Sequence, residues 1–88
     1  MNVIIYTREY LQDNDMEELF LLNTSENRVC RIRYVWNLTE RNLFDEGAST
    51  TTTDFGEAVI FPRQELQIHV FESRRFSASG RVIQEEEI

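Results

Sequence analysis

The sequence is poor in the residues that carry most enzyme chemistry. Its 88 residues include one cysteine, one histidine, one proline, three glycines and no lysine. The single cysteine, Cys30, excludes an internal disulfide and a multi-thiolate zinc site. The single histidine, His69, leaves any metal site or catalytic dyad with one imidazole to use. The glycines fall in no phosphate-cradling arrangement, and no serine stands in a nucleophile elbow. No apolar run approaches the roughly 18 residues of a membrane-spanning helix. The start, Met1-Asn2-Val3-Ile4-Ile5-Tyr6, lacks the basic and long apolar segments of a secretion signal, so a cytoplasmic location is expected.

What is present is acidic. Sixteen carboxylates against nine arginines give a net charge of −7 and a pI near 4.6. That balance disfavours direct binding to a phosphate backbone. All the basic side chains are arginine, whose planar, weakly hydrated fork suits carboxylates and interfaces better than lysine does. At this length the chain is one domain with one modest core, burying about 60–65% of its unfolded surface.

The strongest periodicity runs from Val29 to Trp36. Cys30, Ile32, Tyr34 and Trp36 fall on one side of an extended strand, and Val29, Arg31, Arg33 and Val35 on the other. The first side is bulky and nearly apolar and is expected to face the core, which makes Cys30 a buried, inert thiol. The second side places two arginines between two valines, a pattern for a surface that is partly wet or covered by a partner.

Other strands are expected around it. Val3–Tyr6 is a short apolar run at the start. Thr7 to Glu18 is polar and acidic, and reads as a solvated connection holding at most one helical turn. Glu18–Leu22 is continuously apolar after its first residue and should be covered on both faces. The polar stretch Asn23–Asn27 then predicts an antiparallel hairpin joining that strand to the arginine-bearing one. From Asn37 to Thr53 the period is lost, and one short strand is expected within a long excursion. Gly56–Phe61 is a further strand, stopped by Pro62. Leu66–Phe71 alternates, with Leu66, Ile68 and Val70 inward and Gln67, His69 and Phe71 on the wetter side. Phe76–Ile83 supplies a last strand interrupted by Gly80. The expected architecture is all-β: a small antiparallel sandwich, immunoglobulin-like or an open barrel, over residues 1–84. Residues 85–88 are expected as an acidic tail or linker.

No enzyme signature emerges from these residues. The acidic pairs Glu17-Glu18, Asp45-Glu46 and Glu85–Glu87 are adjacent in sequence and read as solvated rather than as an acid–base pair. His69 reads as a neutral strand residue. No cofactor or metal is expected, and neither nucleic acid nor membrane is an expected partner.

The order of pieces resembles the small β-sandwich domain that accompanies the C-terminal Smr domain in some bacterial Smr-family proteins. The resemblance rests on Val3–Tyr6, on Leu19-Phe20-Leu21-Leu22-Asn23-Thr24-Ser25 ending in an Asn-x-Ser turn, and on the alternating strand through Tyr34. Gly56–Phe61 and the Arg63-Gln64-Glu65-Leu66 turn also fit. The Smr nuclease segment itself is missing, and the middle segment and tail differ. The resemblance implies a non-catalytic module that packs on itself or on a neighbouring domain, with no catalytic residue to carry over.

Two readings follow. The first is an interaction module whose protein partner, or second copy, is met by Arg31, Arg33 and Val35, with Trp36 as an anchor where it is exposed. The second is a small phage-type inhibitor whose carboxylates mimic nucleic acid. They differ in one property: mimicry needs rows of carboxylates on one face, and the module does not.

Overall fold

The computed structural model describes residues 1–42, 44 and 48–88. Six strands follow in order: β1 (Val3–Glu9), β2 (Met16–Asn23), β3 (Cys30–Arg41), β4 (Ser49–Ile60), β5 (Glu65–Glu72) and β6 (Phe76–Glu87). They form two three-stranded antiparallel sheets, β1-β2-β5 and β4-β3-β6, stacked as a sandwich, with no helix among the described residues. The sandwich expectation holds, and no element is a helix long and apolar enough to cross a membrane.

The chain crosses to the other sheet after β2, and this corrects the expected β2–β3 hairpin. β2 is the centre of one sheet and β3 the centre of the other. β2 takes a central place because its apolar run must be covered on both faces; Leu19, Phe20 and Leu21 are all fully buried. Asn23 then directs the crossing. It is wholly buried, and its Nδ2 donates to the carbonyls of Arg28 at 2.7 Å and Ile60 at 3.0 Å. Its Oδ1 accepts from Ser25 N at 3.0 Å. The Phe61–Gln64 turn, with Arg63 at φ 61°, returns the chain to the first sheet. The β2–β3 and β4–β5 crossings are bonded together, Asn23 N to Gln64 O and Arg63 N to Ser25 O, both at 3.1 Å.

The core lies between the sheets and is built from Val3, Leu21, Cys30, Ile32 and Ile60, with Ile5, Tyr34, Ala58, Leu66, Ile68 and Val82 packed against them. Cys30 is buried as expected, and burial pushes its thiol pKa up. Gly80 does not interrupt β6. A Cβ there would lie 2.6 Å from Ile5 Cδ1 on β1 and 2.9 Å from the Val35 carbonyl on β3, so the position has no room for a side chain.

Three further expectations change. Within the excursion from Asn37 to Thr53, residues 37–41 extend β3 and residues 49–53 open β4, paired from Asn37↔Thr53 to Arg41↔Ser49. Side-chain oxygens hold this extension, with Thr53 Oγ1 donating to Asn37 Oδ1 at 2.7 Å and the hydroxyls of Thr39 and Thr51 bonded at 2.9 Å. Leu43 and the Asp45-Glu46 pair lie outside the described residues. The segment 85–88 is no free tail: β6 stays paired with β3 through Glu87, opposite Cys30. Both Glu85 carboxylate oxygens accept backbone N–H groups at the chain start, from Asn2 and Val3, each at 2.8 Å. Finally, Thr7–Glu9 belongs to β1, which pairs with β2 in register, so the polar connection shrinks to Tyr10–Asp15.

A candidate interaction face

The functional expectation centred on β3, and the structure separates its residues. Arg31, Arg33 and Val35 share the outer face of the β4-β3-β6 sheet. Their neighbours across the ladders are Val59, Glu57 and Phe55 on β4 and Glu86, Gln84 and Arg81 on β6. Trp36 points the other way. Its ring lies 5.2 Å, centroid to centroid, from that of His69 on the opposite sheet, so it bridges the two layers instead of joining the arginines.

His69 reaches that position through a bulge. The β2–β5 register slips between Leu19 and Phe20, so that Leu19 faces His69 and Phe20 faces Gln67. One extra residue, Ile68, reverses the alternation of β5. Ile68 still packs on the core, and Phe71, expected on the wetter side, is buried. Among the described residues no cluster of His, Cys, Asp or Glu is arranged to hold a metal ion.

The guanidinium groups on the outer face are engaged across strands. Arg31 Nη1 lies 3.0 Å from Glu86 Oε1, and Arg33 Nε lies 2.7 Å from Glu57 Oε1. All four side chains are more than half exposed, so each pair contributes only about 0–1 kcal/mol to folding. They fix side-chain positions and lower the charge of the face more than they stabilise it.

Exposed apolar side chains alternate with these pairs on the same face. Phe55 is 68% exposed, Ile83 46% and Val59 45%. Phe55 sits opposite Val35, and a shallow hollow is lined by Arg33, Phe55, Glu57 and Ile83 among others. Phe55 and Val59 were legible in the sequence. They fall on the opposite parity from Ala58 and Ile60, so a strand with Ile60 inward must turn them out. Ile83 was not, because it is displaced by a second register slip, between Arg33 and Tyr34 on β3.

On the outer face of the other sheet Ile4 is exposed but the Phe20 ring is covered. Arg8 lies over the Phe20 ring with its guanidinium carbon 4.0 Å from the centroid, and Tyr6 meets the same ring edge-on at 3.9 Å. The Arg8 fork donates to both Glu65 oxygens at 2.9 and 2.7 Å and approaches Glu18 at 3.3 Å, leaving only its buried Nε without an acceptor. Donating these hydrogen bonds to Glu65 raises the Arg8 pKa, and accepting them holds the Glu65 carboxyl below the usual carboxylate range. Glu18, expected to be solvated, is buried here because it has this arginine beside it. Phe20, on an outer face, is fully shielded by its neighbours.

Carboxylates are distributed over both sheets. Glu18, Glu26, Glu40, Glu57, Glu65, Glu86 and Glu87 each pair with an arginine. In comparisons with known proteins, no family model, no curated protein and no solved structure matches this chain.

Proposed function

We propose that this protein is a non-catalytic β-sandwich module acting by protein–protein contact through the outer face of the β4-β3-β6 sheet. The observation that carries this reading is one outer face on which exposed Phe55, Val59 and Ile83 stand with Val35, interleaved with the Arg31–Glu86 and Arg33–Glu57 pairs. Several large apolar side chains left uncovered on one face, among charges already paired, mark a recognition surface. Phe55 takes the anchoring role that the sequence suggested for Trp36, since Trp36 is engaged with His69 between the sheets. The resemblance to the Smr-associated sandwich implies a role of the same kind. Nucleic-acid mimicry is less favoured, because the paired carboxylates are scattered over both sheets and carry arginine partners.

The test is a set of surface variants read for contact and stability together. Arg31→Ala with Arg33→Ala should weaken self-association or partner capture about tenfold or more, the loss expected of side chains at a recognition surface. The thermal midpoint should stay within a few degrees of wild type. A large fall in the midpoint with contact unchanged would overturn the assignment.

A further inference from the structure

β4 is an edge strand, with one flank paired and the other open among the described residues. It is 12 residues long, and its register against β3 runs from Cys30↔Ile60 to Arg41↔Ser49 without a bulge. Edge strands are normally blunted by lysine, proline, a bulge or short length. This one has none of these, and only Asp54 and Glu57 carry charge. Its two halves also differ. Ser49–Phe55 is exposed at every residue, on both faces, whereas Ala58 and Ile60 are drawn into the sandwich.

We propose that the occupant of this open flank is a second copy of the chain, paired β4 to β4 in antiparallel fashion to make a continuous six-stranded sheet. This deepens the contact-module reading and rests on it. Pairing about a two-fold axis normal to the sheet sets one residue opposite itself. With Asp54 or Glu57 on the axis, like carboxylates would face each other. With Phe55 on the axis, the two exposed rings meet on the outer face. Asp54 then faces Gly56, Glu57 faces Thr53, and Val59 faces Thr51. In this register Thr50 to Ile60 overlap completely, so the threonine half left uncovered by its own sandwich lies along the apolar half of the partner. Cross-strand aromatic and threonine–aliphatic rows suit such a ladder. Phe55 is thus shared by the edge and by the recognition face.

The experiment combines sedimentation with crosslinking on the full chain. Wild type should sediment as a dimer at micromolar concentration. Phe55→Glu, which sets two carboxylates on the axis, should raise the dimer dissociation constant about a hundredfold, as like-charge juxtaposition does. Its circular dichroism should match wild type, and its thermal midpoint should match that of wild type diluted below its dissociation constant, because Phe55 is exposed in the single copy. Under mild oxidation Phe55→Cys should form a disulfide dimer, since directly opposed Cα atoms lie about 4.5–5.5 Å apart. Thr53→Cys alone should not, whereas Thr53→Cys mixed with Glu57→Cys should. Wild type, whose Cys30 is buried, serves as the uncrosslinked control. A monomer at every concentration would overturn self-pairing, and so would crosslinking of Thr53→Cys with itself. A dimer indifferent to Phe55→Glu but dissolved by Arg31→Ala with Arg33→Ala would overturn the edge while leaving the contact face intact. A dimer indifferent to both would remove the contact face as well.

Discussion

Replacing Asn23 tests why the chain crosses between sheets where it does. Its side chain satisfies three backbone groups: the carbonyls of Arg28 and Ile60 and the N–H of Ser25. Asn23→Ala removes all three bonds. The Asn23–Ile60 bond is fully buried, so the orphaned carbonyl costs about 1–3 kcal/mol. Arg28 is exposed and Ser25 half-buried, so water can reach their backbone groups and each loss is smaller, about 0.5–1 kcal/mol. The sum is about 2–5 kcal/mol, which in a domain of this size lowers the thermal midpoint by roughly 10–30 °C. Asn23→Asp separates this account from simple packing. It has the same shape but turns a donor into an oxygen facing two carbonyls, so it should be more destabilising than alanine. Urea denaturation followed by fluorescence of Trp36, the sole tryptophan, would measure both, with m-values unchanged. An alanine variant within about 0.5 kcal/mol of wild type, below the worth of one ordinary hydrogen bond, would refute the role given to Asn23. So would an aspartate variant more stable than the alanine one.

Two further outcomes follow from single contacts. The Glu65 carboxyl is held low by its hydrogen bonds from Arg8, so its stabilising contribution is present above its unfolded pKa and is lost as pH falls through the folded value. Glu65→Gln should therefore flatten the acid limb of a stability–pH profile, and an unchanged limb would count against the Arg8 fork. At Gly56 an added Cβ would run into Tyr34 Cζ and Oη. The phenol of Tyr34 is pushed up by burial and, secondarily, by Asp54. Gly56→Ala should displace the ring toward water, cost about 1–3 kcal/mol and let Tyr34 ionise at lower pH in a spectrophotometric titration.

Strand existence was legible in the sequence, and pairing was not. The parity of Cys30, Ile32, Tyr34 and Trp36 placed all four on one face, and the continuous run Leu19–Leu22 announced a strand covered on both sides. Both readings depend on neighbours within one strand. The partner of β2 depends on what Asn23 bonds, and a polar Asn–Ser turn serves a hairpin and a sheet crossing equally well by local chemistry. The two bulges escaped for the same reason. Ile68 and Ile83 sit in strands whose alternation looks regular, and only the opposing register shifts them. Among the acidic residues Glu18 was misjudged, because Arg8 stands directly opposite it across the β1–β2 ladder. Glu86 and Glu87 remain exposed as expected while pairing with Arg31 and Arg28. These pairings depend on strand register, which no local pattern announces.

The arginine-only basic composition acquires a physical meaning from the contrast between the two outer faces. On the first sheet one guanidinium spans a ring and two carboxylates at once, and the phenylalanine beneath it is shielded from water. A lysine ammonium offers no planar fork to bind both oxygens of Glu65 while lying flat on an aromatic face. On the second sheet Arg31 and Arg33 pair sideways, each to a glutamate on a neighbouring strand. Neither covers Phe55, which stays 68% exposed beside them. The same residue type thus seals one aromatic and leaves another uncovered, and the difference is set by where the acceptors stand. Glu18 and Glu65 hold Arg8 over Phe20, whereas Glu57 holds Arg33 in the row beside Phe55 and Glu86 draws Arg31 to β6, so neither guanidinium lies over the ring. A glutamate placed to draw Arg33 across Phe55 would cover that ring as Phe20 is covered, and with it the surface proposed here for contact.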